Sequence, residues 1–249
     1  MTKIRYLILS KGRPEICFNT TYSLTKHLNP FIVIEPQEEI DYLKFFRKDQ
    51  LIILPFSNKG LTMVRHWCLT NFNDDIIWMF DDDLKHMFKR DGLTGLGNHK
   101  LVHTKVNFDN INKKLIDEDF AQAGITFKPS NWYFKGDFKI DTRICAVTAF
   151  NMDILKKNNI NYDLDVLIFH DYDITAQILS KGLHNFASYE YAFDTKMAGD
   201  SKGVSVYRTK ALSKQICDLL KKKWGVECEL TSREIYEPQF KWKDIIKNK

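Results

Sequence analysis

Four short apolar runs, each stopped by a polar or proline-bearing turn and separated from the next by a helical stretch, leave this chain few ways to fold. Tyr6-Leu7-Ile8-Leu9 ends at Ser10-Lys11-Gly12-Arg13-Pro14, Phe31 to Ile34 ends at Glu35-Pro36, and Leu51 to Leu54 ends at Pro55. Ile76 to Phe80 runs straight into Asp81-Asp82-Asp83. Continuous apolar strands with helices between them indicate a sheet covered on both faces, and helical crossovers make it parallel. The expected class is α/β, with a mostly parallel central sheet flanked by helices. Ligands in such sheets bind outside the carboxyl ends of the strands. Ser10 to Arg13, Glu35 and Asp81 to Asp83 are therefore expected to converge on one crevice.

The rest of the chain continues the pattern less regularly. A helix to about His27 and a polar one from Glu38 to Lys48 fill the early gaps, and Val64, Trp67, Cys68 and Phe72 fall at helical spacing;. Lys85 to Lys105, broken by Gly92, Gly95 and Gly97 among basic residues, reads as a mobile loop;. Ile144 to Phe150 reads as a strand, Asn151 as the N-cap of a helix through Lys157, and Asp173 to Ser180 as a helix followed by Gly182;. Ala211 to Trp224 is amphipathic, with Leu212, Ile216, Leu219 and Leu220 inward. No repeat or linker divides the 249 residues, so residues 1–249 are expected to form a single domain with a basic helical segment from about 205;.

Bulk properties exclude some classes. No apolar run approaches the roughly 18 to 20 residues that a membrane helix needs, and the N-terminus reads as a first strand rather than a signal. Five cysteines, odd in number and never in a CxxC pair, fit reduced thiols in a cytoplasm;. Net charge is a mild +5, but residues 202–249 hold twelve Lys and Arg against six Asp and Glu. That bias suits a polyanion, nucleic acid first, or is a solvated helix face.

The acidic triplet carries the chemistry. On an extended strand end, residues two apart share a side, so Asp81 and Asp83 are expected to present two carboxylates to one spot. Two hard oxygen ligands, completed by water and substrate phosphates, describe a Mn²⁺ or Mg²⁺ site. The plain alternative is a solvated turn. A phosphatase of the haloacid dehalogenase type fits poorly, because Leu84-Lys85 follow the aspartates and three strand units precede them.

SKGRP, the helix carrying Arg65, IIWMFDDDL and the later FHDYDITAQILSKG resemble, in order and spacing, a GT-A nucleotide-sugar glycosyltransferase. The run from Gly60-Leu61 through Arg65 to Asp83 resembles more narrowly the glycosyltransferases associated with TET/JBP oxygenases, over roughly residues 3–190. One departure is that Arg65 is followed by His66 where that group tends to carry Asn.

The resemblance implies a GT-A fold and transfer of a sugar from a UDP-type donor to 5-hydroxymethylcytosine or 5-hydroxymethyluracil in double-stranded phage DNA. By the resemblance, Asp83 and Asp81 bind the metal, and Ser10, Gly12, Arg13, Glu35, Arg65, Asp81 and Asp82 line the nucleotide-sugar site. If the reaction inverts the anomeric centre, Asp171, with Asp173 as second candidate, is the acceptor's base; Asp173 reads also as an acid favoured at a helix N-terminus. Lys202 in a basic turn is assigned to the diphosphate and Asp194 to a further metal contact. Trp132, Tyr133, Lys135 and Lys139 mix aromatic and basic groups that suit a flipped base, or else cover a sheet edge. The rival readings are a glycan or protein acceptor and a non-catalytic nucleic-acid-binding module.

Overall fold

A computed structural model describes residues 2–91, 100–103, 105–128, 134, 136–195 and 208–247. Strands β1 (Ile4–Leu9), β2 (Phe31–Ile34), β3 (Leu51–Ile53) and β4 (Ile76–Asp81) are the four apolar runs, and they lie parallel in the order β3-β2-β1-β4. The sheet continues through β9 (Val147–Asn151), β7 (Gln122–Phe127), β10 (Asn185–Thr195), β5 (Leu84–Asp91) and β6 (Lys100–His103), with β8 (Phe138–Ile140) along β10. β7, β10 and β6 run with the first four strands, while β9, β5 and β8 run against them.

Alternation along the strands builds a core on each face. Leu7, Leu9, Ile77 and Met79 face one layer, formed by α4 (Gly60–Asn71), α6 (Met152–Lys157), α7 (His170–Ser180) and α8 (Lys210–Trp224). Ile8, Ile76, Trp78 and Phe80 face the other, with α5 (Phe108–Asp117) and the helical stretch from α1 (Pro14–Cys17) to α2 (Ser23–Thr25). A hairpin of β11 (Glu227–Leu230) and β12 (Tyr236–Gln239) leads to α9 (Trp242–Lys247) against α7.

Several local expectations change. The supposed loop from Lys85 is mostly strand: β5 pairs with both β10 and β6, so its backbone is satisfied on each edge, and buried Met87 and Phe88 are too short an apolar pair to read among basic neighbours. Gly92, Gly95 and Gly97 lie outside the described residues. The polar helix of residues 38–48 is only the short α3 (Glu39–Tyr42) between two 3-10 turns. The Ile144 strand begins at Val147, because Ala146 sits at φ 57°. Asn151 does cap α6, accepting from the Ile154 amide at 3.4 Å. No helix among the described residues is long and apolar enough to cross a membrane, and all five cysteines are free thiols.

Candidate active site

Strand register puts the site at the carboxyl crest. Leu9 lies beside both Val33 and Asp81, so the chain leaves β1, β2 and β4 at one level. Gly12 turns with φ +67°, and a Cβ there would come 3.6 Å from Glu38;. That turn delivers Arg13 to the aspartates.

The three carboxylates are not equivalent: Asp82 is buried, while Asp81 and Asp83 stay partly exposed. The strand ends at Asp81, and Asp82 and Asp83 form a turn, so the two-residue strand period expected for Asp81 and Asp83 does not operate. The turn is held by its own backbone: Thr21 donates to the Asp81 carbonyl at 2.7 Å, Thr20 to that of Asp82 at 2.8 Å, and the Asp81 amide donates to Ala146 at 2.8 Å.

Asp82, only 1% exposed, accepts from Ser10 Oγ at 2.6 Å and from the Arg13 guanidinium. Burial pushes its carboxyl up to about 6, against the pull of Arg13 and the Ser10 hydrogen bond;. Asp82 therefore positions Arg13.

Asp81 receives Arg65 Nη2 at 2.6 Å. Burial raises its pKa, Arg65 opposes the shift and Asp83 adds to it. The Asp81 side chain keeps 34% of its surface and that of Asp83 23%, with Asp83 accepting from Arg13 Nη1 at 3.3 Å. Arg65 itself is 2% exposed, beneath Asp81 and against Tyr162, whose hydroxyl is 3.4 Å from Nη1. Its place is that of a buried counter-ion. Glu35, at the end of β2, accepts from Lys11 at 2.8 Å and Gln37 at 2.6 Å. Burial would raise its pKa, but these bonds and the Asn58 amide hold it below the ordinary value.

Across the crevice, helix α7 starts at His170, earlier than its periodicity suggests, so Asp171 is inside the first turn. Arg143 Nε donates to Asp171 at 2.5 Å, and its Nη1 donates to the Tyr172 hydroxyl at 2.9 Å. Burial would raise Asp171, yet the Arg143 and Arg65 guanidiniums hold it below the usual carboxylate range. Its charge is also felt at Asp81, and residues 143–146 link the two, since the Ala146 carbonyl receives the Asp81 amide. His170 packs against Thr62 and Tyr162, and burial lowers it to about 3.

Asp173 points elsewhere. Both its oxygens are engaged, by Gln177 at 2.7 Å and by Trp224 Nε1 and Lys223 at 2.8 and 2.7 Å, so it ties α7 to α8. Asp194 lies 3.7 Å from Lys128. Lys139 is exposed on the edge strand β8, while Trp132, Tyr133, Lys135 and Lys202 lie outside the described residues.

Arg143, Tyr172, Tyr162, Tyr42 and the Thr20-Thr21 pair belong to the site and carry no local sequence signal. Each meets its partner through a fold contact. Among the described residues, no group of three or more His, Cys, Asp and Glu side chains is arranged around one metal-sized point.

A parallel Rossmann-like half-sheet with an acidic turn at its crest, continued by a mixed half that brings a second carboxylate opposite, defines the GT-A glycosyltransferase fold. Solved structures bear this out. S. aureus TarS 1–349 in complex with UDP-GlcNAc superposes with a TM-score of 0.58 at 12% identity, over 88% of this chain and 67% of that one. Glucosyl-3-phosphoglycerate synthase from Mycobacterium tuberculosis with Mg²⁺ and UDP gives 0.54 at 8% identity, over 96% and 86%. Mannosyltransferase PcManGT from Pyrobaculum calidifontis with GDP-Man and Mn²⁺ gives 0.55 at 10%, over 89% and 64%. At such identities the likeness is one of fold. No curated protein matches the sequence. The family profile is specific: residues 4–204 match the TET-associated glycosyltransferases, and the chain belongs to that family. It is a glycosyltransferase.

Proposed function

We propose that this glycosyltransferase moves a sugar from a UDP-type nucleotide sugar onto the hydroxymethyl group of 5-hydroxymethylcytosine, or 5-hydroxymethyluracil, in double-stranded phage DNA. The observation that carries the reading is that one short segment, residues 143–146, ties the two acidic groups together: the Ala146 carbonyl receives the Asp81 amide at 2.8 Å and Arg143 donates to Asp171 at 2.5 Å. Membership of a family associated with TET oxygenases, which make hydroxymethylpyrimidines, supports the acceptor. Structural neighbours that hold UDP or a sugar nucleotide support the donor.

Asp81 and Asp83 fit a divalent cation of the Mn²⁺ or Mg²⁺ kind. Both are hard oxygen donors, both are partly exposed, and among the described residues Asp81 Oδ2 and Asp83 Oδ1 carry no hydrogen bond. Such an ion takes one or two carboxylates and completes its shell with water and phosphate, which is consistent with the lack of a third protein ligand. When bound it neutralises charge developing on the leaving diphosphate. Arg13, held by Asp82 and Asp83, supplies a second positive charge there;. Glu35 and Gly12 border the nucleoside side of the crest, while Ser10 and Arg65 act by holding Asp82 and Asp81.

In the reaction, the acceptor oxygen bonds to the anomeric carbon as the bond from that carbon to the diphosphate breaks, and Asp171 takes the hydroxyl proton. Asp173 keeps α7 in place. A base stacked in a duplex cannot enter this crevice, so the acceptor is flipped out or its groove widened, with Lys139 among the groups near the strand.

The test is a donor screen. The protein is incubated with Mn²⁺ or Mg²⁺, several sugar nucleotides, and plain or hydroxymethylated DNA, and the nucleosides are weighed. A mass gain confined to hydroxymethylated bases is expected. Gain on an added glycan or protein, with none on DNA, would assign the acceptor wrongly.

A further inference from the structure

Beyond the family's matched region, residues 208–247 pack directly on the turn of α7 that bears Asp171. Two contacts make the connection. Trp224 and Lys223, at the end of α8, bind Asp173 at 2.8 and 2.7 Å, and Lys223 also reaches Asp163 at 2.7 Å. Phe240 and Trp242, just before and at the start of α9, stack with each other at 4.8 Å. The Tyr172 ring lies against that pair, at 5.4 Å from Phe240 and 6.2 Å from Trp242, with interplanar angles of 30° and 24°.

Tyr172 in turn holds Arg143. The guanidinium carbon sits 4.1 Å from the ring centroid, and Nη1 donates to the phenol oxygen at 2.9 Å. The same guanidinium donates Nε to Asp171 at 2.5 Å. A continuous chain of contacts thus runs from the C-terminal aromatic pair to the carboxylate. A planar guanidinium keeps its direction only while both its hydrogen-bond partners and the surface beneath it stay fixed.

We propose that Phe240 and Trp242 are positioning residues for the glycosyl transfer, fixing Tyr172 and through it the Arg143 guanidinium that aims Asp171 at the acceptor. This rests on the reading of Asp171 as the acceptor's base. The other groups around Asp171 come from different elements and do not depend on the pair: Arg65 from α4, Asp81 from β4, Tyr162 from the segment before α7, Cys145 beside Arg143, and His170, which is neutral. Loss of the aromatic pair removes the hold on Arg143 alone. Asp171, still buried but with a weaker positive neighbour, then becomes harder to ionise;.

The experiment uses the full chain carrying Phe240→Ala with Trp242→Ala, beside wild type and Asp171→Asn. The Asp171 carboxyl is followed by carbon NMR during a pH titration, its signal assigned by its loss in Asp171→Asn. Binding of UDP with Mn²⁺ is measured by calorimetry, and sugar transfer to hydroxymethylated DNA by mass. The double variant is expected to titrate Asp171 at higher pH, to bind UDP within about twofold of wild type, and to transfer about tenfold or more slowly, as misplacement of a catalytic group costs. Trp242→Phe, which keeps a ring in the stack, is expected to restore the wild-type titration.

An unmoved Asp171 titration in the folded double variant overturns the proposal, and so does a loss of UDP affinity as large as the loss of rate. Should the double variant fail to fold, Tyr172→Phe carries the test. It keeps the stack and removes only the oxygen that accepts from Arg143, and an unchanged titration there is equally contrary. A shifted titration without any transfer to DNA by wild type upholds the positioning and rejects the acceptor.

Discussion

Asp82 and Asp171 are both buried acids in one crevice, yet their surroundings push them in opposite directions. Burial wins at Asp82, whose carboxyl stands at about 6, above the roughly 3.9 of a free aspartate;. The fold therefore favours its protonated form. Its stabilising share is complete below about pH 4 and lost as pH rises through about 6. Asp82→Asn, which cannot ionise, is expected to flatten the pH dependence of urea unfolding across that window; an unaltered curve contradicts the assignment. At Asp171 the positive neighbours win. Arg143→Gln removes the largest of them, so burial acts with less opposition and the acid limb of kcat/KM is expected to move to higher pH; an unmoved limb assigns the base elsewhere. Asp83→Ala is expected to lower transfer by about a hundredfold or more, the scale seen when one group stabilising transition-state charge is removed. Transfer at the wild-type rate would leave the turn a mere solvated corner.

The legible residues were those with a local signature. An acidic run at the end of an apolar strand, a Gly-Arg turn and an aspartate opening a helix can each be seen within a few positions. Arg143 could not be, because its bond to Asp171 spans 28 residues and its own neighbours show no period. Arg65 was visible as a helical residue, but its burial under Asp81 was not. Asp173 is the second candidate from the sequence, after Asp171, and only the structure shows that Trp224 and Lys223 occupy it.

At the scale of elements, the first four strands were readable because each is apolar on both faces, while β5 and β6 hid among lysines and depend on neighbours for their hydrogen bonds. The mixed half of the sheet has a demanding packing point. A Cβ on Gly124 of β7 would fall 2.2 Å from Ile144 Cγ2 and 2.6 Å from the Val147 carbonyl oxygen. Backbone stands in the way, so neither neighbour yields cheaply. Gly124→Ala is expected to cost about 1 to 3 kcal/mol in denaturant unfolding, the usual penalty of overpacking. It should also slow transfer, since Ile144 lies between Arg143 and the strained Ala146 whose carbonyl receives the Asp81 amide. Stability within 0.5 kcal/mol of wild type, the range of an ordinary surface change, would show that the strands part there easily.

At the scale of the whole molecule, one charge of the C-terminal segment's basic excess is engaged by the rest of the fold. Lys223 pairs with Asp163 and Asp173 outside the segment, while Lys214–Asp218 and Lys221–Glu227 are pairs within it. This segment braces helix α7 at least as much as it offers charge to a polyanion. Binding to duplex DNA is still expected to weaken steeply with salt, by roughly a thousandfold between 50 and 200 mM if about six phosphates are neutralised. A salt-insensitive affinity would count against a nucleic-acid acceptor while leaving the fold and class intact.

The central claim is that the Asp81–Asp83 turn holds a divalent ion against the donor diphosphate, facing Asp171. Anomalous diffraction from a crystal soaked with Mn²⁺ and UDP tests it most directly. The account predicts one manganese peak bound by Asp81 and Asp83 carboxylate oxygens and by the diphosphate, with the open side of that site toward Asp171. Manganese and UDP bound away from an acidic turn that faces only solvent would contradict it.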